Sequence, residues 1–252
     1  MKHILRVMRW RLVGGGASAR GIYVQGCARS GNTLMRELCV AGFAGAEALP
    51  LPGNRSECSF EFMVASLARS RAAGTVLVAS RNRDASLAMD GALLRAHPEV
   101  NVVWMLRHPF DVLTSFHGSE PDRFYVSPER MIASLDLHEE FRHEPQVLTL
   151  RYEDLILQPQ QTQGAIAAAF ALEPARSFVE CHPHFTTGAK SVVALHSIRP
   201  LDAGSIGRWR RNSKHLEYLR GVLQAHPELV SGARRAGYEL ESDLCDVPGP
   251  AT

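Results

Sequence analysis

The run Gly21-Ile22-Tyr23-Val24-Gln25-Gly26-Cys27-Ala28-Arg29-Ser30-Gly31-Asn32-Thr33 decides the fold. It passes from a short apolar stretch, through a polar turn bracketed by glycines, into residues 32–41, where Leu34, Met35 and Leu38 stand at helical spacing. That order predicts strand, loop, helix. Gly26, Gly31 and Thr33 keep the spacing of a phosphate-binding loop, with Asn32 where a nucleoside triphosphatase has its lysine. Backbone N–H groups at a helix start, with the positive end of the helix dipole, form an anion cradle without that lysine. Arg29 offers a rigid donor fork beside it. The bland alternative is a glycine-rich packing turn.

Outward from this run, strands and helices alternate. Residues 49–54 carry two prolines and read as loop; 59–71 read as helix, 75–79 as a buried strand and 85–96 as helix. Residues 101–106 are β-rich, and Pro109 suits the first position of a helix. A helix over 131–141, a strand over 147–150 and an alanine-rich helix over 161–172 follow. The expectation is an α/β fold: one doubly wound parallel sheet, helices on both faces and a P-loop-like turn. The organisation expected is a basic leader at 1–16, one α/β domain at 17–242 and a loose Pro/Gly-rich tail at 243–252.

Composition narrows the function. The chain has 252 residues, is 45% apolar and 21% charged, and balances 28 Lys+Arg against 26 Asp+Glu. Apolar residues suffice for a core, which excludes a disordered chain. A formal charge of +2 argues against gripping nucleic acid, so any polyanion site must be local. Five cysteines, an odd count without a CxxC pair, suggest neither a disulfide scaffold nor a zinc site, and point to a reducing, cytoplasmic setting. The uninterrupted apolar stretch at 165–172 is far too short to span a bilayer. The first 13 residues mix Lys2, Arg6, Arg9 and Arg11 with apolar positions. They suit an interfacial helix on an anionic membrane, or a leader packed on the body.

A second anion site is expected at Arg107-His108-Pro109-Phe110-Asp111-Val112-Leu113-Thr114-Ser115, where the 101–106 strand ends. Open α/β sheets bind ligands at the carboxyl ends of their strands, and Arg107 and Ser115 suit one phosphate. The alternative is a solvated arginine and a serine bonding its own helix. Two such sites on neighbouring strand ends suggest a ligand with phosphates at both ends.

These residues, with Arg151-Tyr152-Glu153-Asp154-Leu155, Pro159 and Gly207-Arg208-Trp209, resemble the ordered landmarks of sulfotransferases that use 3′-phosphoadenosine 5′-phosphosulfate (PAPS). The resemblance covers residues 22–211, toward the bacterial and protein-tyrosine branch. It implies the donor's 5′-phosphosulfate on Arg29, Ser30, Gly31, Asn32 and Thr33, its 3′-phosphate on Arg107 and Ser115, Tyr152 near the adenine, and Gly204 giving a backbone amide to the 3′-phosphate. It implies the released product 3′,5′-bisphosphate, PAP, and no metal. Asn32 departs from the family's threonine, and its amide is expected to donate to the donor instead. The cationic run that often precedes Gly-x-Trp is missing, leaving Arg199, Arg208 and Arg210 as substitutes. Of the second-strand cations, Arg81 and Arg83 both fit imperfectly.

Sulfuryl transfer needs a base for the acceptor hydroxyl, in-line alignment and fixed donors for spreading charge. The histidine base of some members is absent: if Arg81 takes the second-strand cation role, Arg83 holds its place. The family's other solution, a glutamate after the first helix, implies Glu47, with Glu57, Glu61 and His117 in reserve. Trp104 and Trp209 read as packing residues, and His97 as a helix end. The acceptor is a hydroxyl on a small molecule, glycan or peptide. The competing readings are a P-loop nucleotide or small-molecule kinase, and a non-catalytic nucleotide-binding relative.

Overall fold

A computed structural model describes residues 19–50, 57–70, 74–81, 89–116, 123–185 and 200–245, with backbone alone at Glu57, Arg81, Asp243 and Cys245. Six strands form one sheet: β1 (Arg20–Gly26), β2 (Ala46–Ala48), β3 (Glu57–Cys58), β4 (Val76–Arg81), β5 (Val100–Leu106) and β6 (Val147–Arg151). The order is β2-β4-β1-β5-β6, with β3 also on the outer edge of β4, and every pair is parallel. Register places Gly26 beside Met105, and Met105 beside Leu150. The ends of β1, β5 and β6 therefore share one rim.

Parallel strands buried on both faces need apolar side chains in both directions. Ile22, Val24, Val103 and Met105 face one core with α1 (Asn32–Gly42), α6 (Tyr152–Leu157) and α7 (Pro159–Phe170). Tyr23, Val102, Trp104 and Leu106 face the other, against α2 (Phe60–Leu67), α3 (Gly91–Ala96), α4 (Pro109–Leu113), α5 (Pro128–Phe141), α8 (Ser213–Ala225) and α9 (Glu228–Arg235). Trp104 and Trp209 are fully buried, as expected of packing residues. His97 ends α3, its N–H donating to Leu94 O at 3.1 Å.

The connections fix where a ligand fits. After β1 the chain leaves along α1 on one face toward β2; after β5 it leaves along α4 and α5 on the other face toward β6. Neighbouring strands whose connections diverge open a crevice at their carboxyl ends. Arg29 and Arg107 both follow that rim.

Residues 46–48, to which the sequence reading gave no element, form β2, because Val76 N–H and Leu49 N–H bond across to Gly45 O and Val78 O. The helix expected over 85–96 is described from Gly91, where Asp90 Oδ1 accepts the N–H groups of Ala92 and Leu93 and fixes its start. The last described helix is α10 (Leu240–Cys245), with Leu240 and Leu244 buried. The 1–16 leader lies outside the described residues. No described helix is long and apolar enough to cross a membrane. Cys27, Cys39, Cys58 and Cys181 are buried.

Candidate active site

Conformation at the β1–α1 turn is unusual at three positions. Gly26, Arg29 and Gly31 all have positive φ, at 146°, 71° and 94°. A Cβ on Gly26 would strike Met105 O, so the close approach of β5 requires glycine there. Arg29 has no such licence, and a left-handed non-glycine backbone costs on the order of 1–3 kcal/mol unless its surroundings hold it. Arg107 helps to hold it, its Nη1 donating to Arg29 O at 3.0 Å. Gly31 is the N-cap of α1, and no side chain caps that end. The first bond of the helix runs from Met35 N–H to Gly31 O at 2.9 Å, which leaves the amides before it in α1 without an intrahelical partner.

Asn32 differs from expectation. Its Nδ2 donates to Gly26 O and Cys27 O, both at 3.2 Å, while its Oδ1 is buried without a partner. The amide braces the loop rather than presenting donors to the rim. Ser30 is buried, and its N–H donates to Cys27 O at 3.2 Å.

Arg107 spans the crevice. Beside its bond to Arg29 O, its Nη2 donates to Ser205 O at 2.7 Å, and its guanidinium lies 4.3 Å from the centre of the Tyr152 ring. Its Nε is buried without a partner, a donor left over. Tyr152 shares a 2.9 Å hydrogen bond with Ser205 Oγ, and a Cβ on Gly31 would come within 2.6 Å of its ring. The ring is therefore a buried brace between the Gly31 turn, Arg107 and Ser205.

The segment from Asp202 to Trp209 closes the far side. Asp202 Oδ1 accepts Gly204 N–H at 2.9 Å, and Arg208 Nε donates to Gly204 O at 3.0 Å. Ser115 Oγ donates to Asp111 O at 2.6 Å, the helix-internal bond of the bland reading. Arg210 lies over the Trp209 ring at 4.4 Å.

Electrostatics marks the centre. Burial pulls the Arg29 guanidinium below its ordinary range, the Arg107 charge adds to this, and Tyr125 opposes it. Two guanidiniums this close repel, and an anion between them relieves the repulsion. Arg29 also lies 5.8 Å from the Tyr125 ring centre, with Arg130 6.0 Å from the same ring. Tyr125, Ser205 and Asp202 were not read from sequence. The Asp202-Ala203-Gly204-Ser205 turn carried a recognisable Asx signal; Tyr125 sits in a stretch without periodicity.

Glu47 is not brought to this rim. It pairs with Leu77, level with Gly21 of β1. Five residues separate Gly21 from Gly26, so Glu47 lies roughly 16 Å below the turn at about 3.3 Å per residue, and two strands to the side. A glutamate side chain cannot span that distance. Glu57 pairs with Ser80, level with Val24, and Cys58 pairs with Arg81. Glu61, exposed in the first turn of α2, acts on the same place: burial, then the Glu61 charge, pushes the Cys58 thiol up to about 12. Arg81 ends β4 at this rim. Arg83, His117 and Arg199 lie outside the described residues.

No protein-family model matches the chain, and no curated protein does. Solved structures do match. The sulfotransferase domain from the curacin biosynthetic pathway superposes with a TM-score of 0.53 at 15% identity, over 82% of this chain and 97% of that one. The sulfotransferase domain of the Synechococcus PCC 7002 olefin synthase gives 0.51 at 15% identity, over 79% and 90%. This chain has the sulfotransferase fold. Retinol dehydratase, solved with androsterone and the inactive cofactor PAP, superposes at 0.47 with 15% identity, over 81% of this chain and 80% of that one. Within the sulfotransferase fold described here, no group of three or more His, Cys, Asp or Glu among the described residues is placed to hold a metal ion.

Proposed function

We propose that this protein is a PAPS-dependent sulfotransferase that passes a sulfuryl group to a hydroxyl. The observation that carries the reading is the contact between Arg107 and the Arg29 turn at the divergence point of β1 and β5. A cradle of backbone amides and a second guanidinium at one crevice suit a nucleotide with two phosphate-bearing positions. The residues fit such a donor: α1 starts without a side-chain cap, and Arg107 Nε is a buried donor with no partner.

Bound there, PAPS supplies an activated sulfuryl group, whose sulfur–oxygen bond to the 5′-phosphate breaks as the acceptor oxygen bonds to sulfur. Arg29, Gly31 and Thr33 hold the 5′ end and meet the charge left on the bridging oxygen. Arg107 and Arg208 hold the 3′-phosphate, since Gly204 N–H and Ser115 Oγ already donate to Asp202 Oδ1 and Asp111 O. Arg81 or Arg83 meets charge on the sulfuryl oxygens. A carboxylate at the β3–α2 corner takes the hydroxyl proton, with Glu61 first and Glu57 second, in place of Glu47. The product is PAP and a sulfate ester of a small molecule, glycan or peptide.

Calorimetric titration tests the reading. PAP is expected to bind without magnesium, and more tightly than ATP with magnesium; the reverse preference would instead establish the kinase reading. PAP binding without turnover on any hydroxyl acceptor would establish the non-catalytic one.

A further inference from the structure

Asp111 lies in α4, buried, and its carboxylate bonds the segment that follows Asp202. Oδ2 accepts Gly207 N–H at 2.8 Å and Oδ1 accepts Arg208 N–H at 3.0 Å. A buried carboxylate is expensive, and packing alone already anchors the neighbouring Trp209, whose ring sits 4.8 Å from Phe110 and 5.5 Å from His108. What the carboxylate adds is direction. Gly207, at φ 67°, opens the short 3-10 turn Arg208–Arg211, and two charge-assisted bonds at its start fix both height and rotation of the chain there. That chain includes Gly204, whose carbonyl accepts Arg208 Nε, and Ser205, whose carbonyl accepts Arg107 Nη2. The main-chain oxygen of Asp111 meanwhile accepts Ser115 Oγ. Asp111 thus holds Arg208 directly, and Arg107 through Ser205 O on the chain it fixes, the two cations that the donor reading assigns to the 3′-phosphate.

We propose that Asp111 is a positioning residue that sets selectivity for a 3′-phosphorylated adenine nucleotide, by fixing the Ser205–Arg208 chain, and with it the Arg208 side chain, beside Arg107. This rests on the donor reading above. A merely structural role would weaken all nucleotides alike, whereas this one acts on the 3′ end.

The test is titration of PAP and of adenosine 5′-monophosphate into the wild-type protein and Asp111→Asn, without magnesium. Asparagine replaces one acceptor by an N–H group facing a backbone N–H. The PAP-over-monophosphate affinity ratio is expected to fall at least tenfold in the variant, with the monophosphate constant within about twofold of wild type. An unchanged ratio, or equal weakening of both ligands, overturns the proposal. A wild-type protein without preference for PAP instead overturns the donor reading beneath it. Should Asp111→Asn not fold, Asp111→Glu keeps charge and both acceptors one methylene further out. Its ratio is expected to fall at least threefold, and a wild-type ratio overturns the proposal.

Discussion

Single side chains set the chemistry of the rim. Arg107 donates to two backbone carbonyls from segments far apart in sequence, so a point charge cannot replace its planar fork. Arg107→Ala is expected to raise the PAP dissociation constant at least tenfold, about 1.4 kcal/mol, by calorimetry; unchanged binding would remove it from the 3′-phosphate site. Glu61→Gln is expected to keep PAP affinity and lower turnover by ~10²-fold, while Glu47→Gln leaves turnover unchanged. A rate loss confined to the Glu47 variant would restore the sequence expectation. That expectation failed for a physical reason: counting residues from Arg29 to Glu47 cannot show that the chain re-enters the sheet at its lower edge. Arg29, Gly31 and Arg107 were legible because strand, turn and helix order dictates where they fall. Asn32 was legible as an exception, but its inward turn toward Gly26 O and Cys27 O depends on loop conformation.

Among elements, α1 and the turn before it carry the most consequence. Gly31 has φ 94°, and an added Cβ would meet the Tyr152 ring. Gly31→Ala is expected to cost on the order of 1–3 kcal/mol of stability in urea unfolding and to weaken PAP binding. Binding and stability both at wild-type values would show that the turn tolerates a side chain and is not the tight cradle described. The long elements were legible from periodicity: β1, β5, α1, α5 and α7 fall within a few residues of expectation. The short ones were not. β2 has three residues and β3 two, too few for any alternation to register, and their pairing with β4 is a property of the sheet. Helix α8 carries Leu216, Leu219 and Val222 at helical spacing, a signal present in the sequence, whereas its junction with Trp209 depends on Asp111 from elsewhere in the chain.

The molecule as a whole responds to pH and to ligand. His138, only 4% exposed on α5, shares a 2.9 Å hydrogen bond with Thr149 Oγ1, and burial followed by the Arg142 charge lowers its pKa from 6.5 to about 4. The folded protein keeps it neutral while the unfolded chain takes up a proton near pH 6.5, so stability falls as pH drops from 6.5 toward 4. The loss is up to about 3 kcal/mol. His138→Gln is expected to lose less stability than wild type between pH 7 and pH 4.5 in urea unfolding; equal losses would place the acid sensitivity elsewhere. Anion binding should act in the opposite sense, since it relieves repulsion between Arg29 and Arg107. PAP at a hundred times its dissociation constant stabilises a single-site protein by about 2.7 kcal/mol.

The most direct test of the central claim is a crystal structure of the protein with PAP. One nucleotide is expected to bridge the crevice, its 5′-phosphate on the amides of Gly31, Asn32 and Thr33 and its 3′-phosphate on Arg107 with Arg208. PAP bound elsewhere, or with only one phosphate at these groups, would contradict the account.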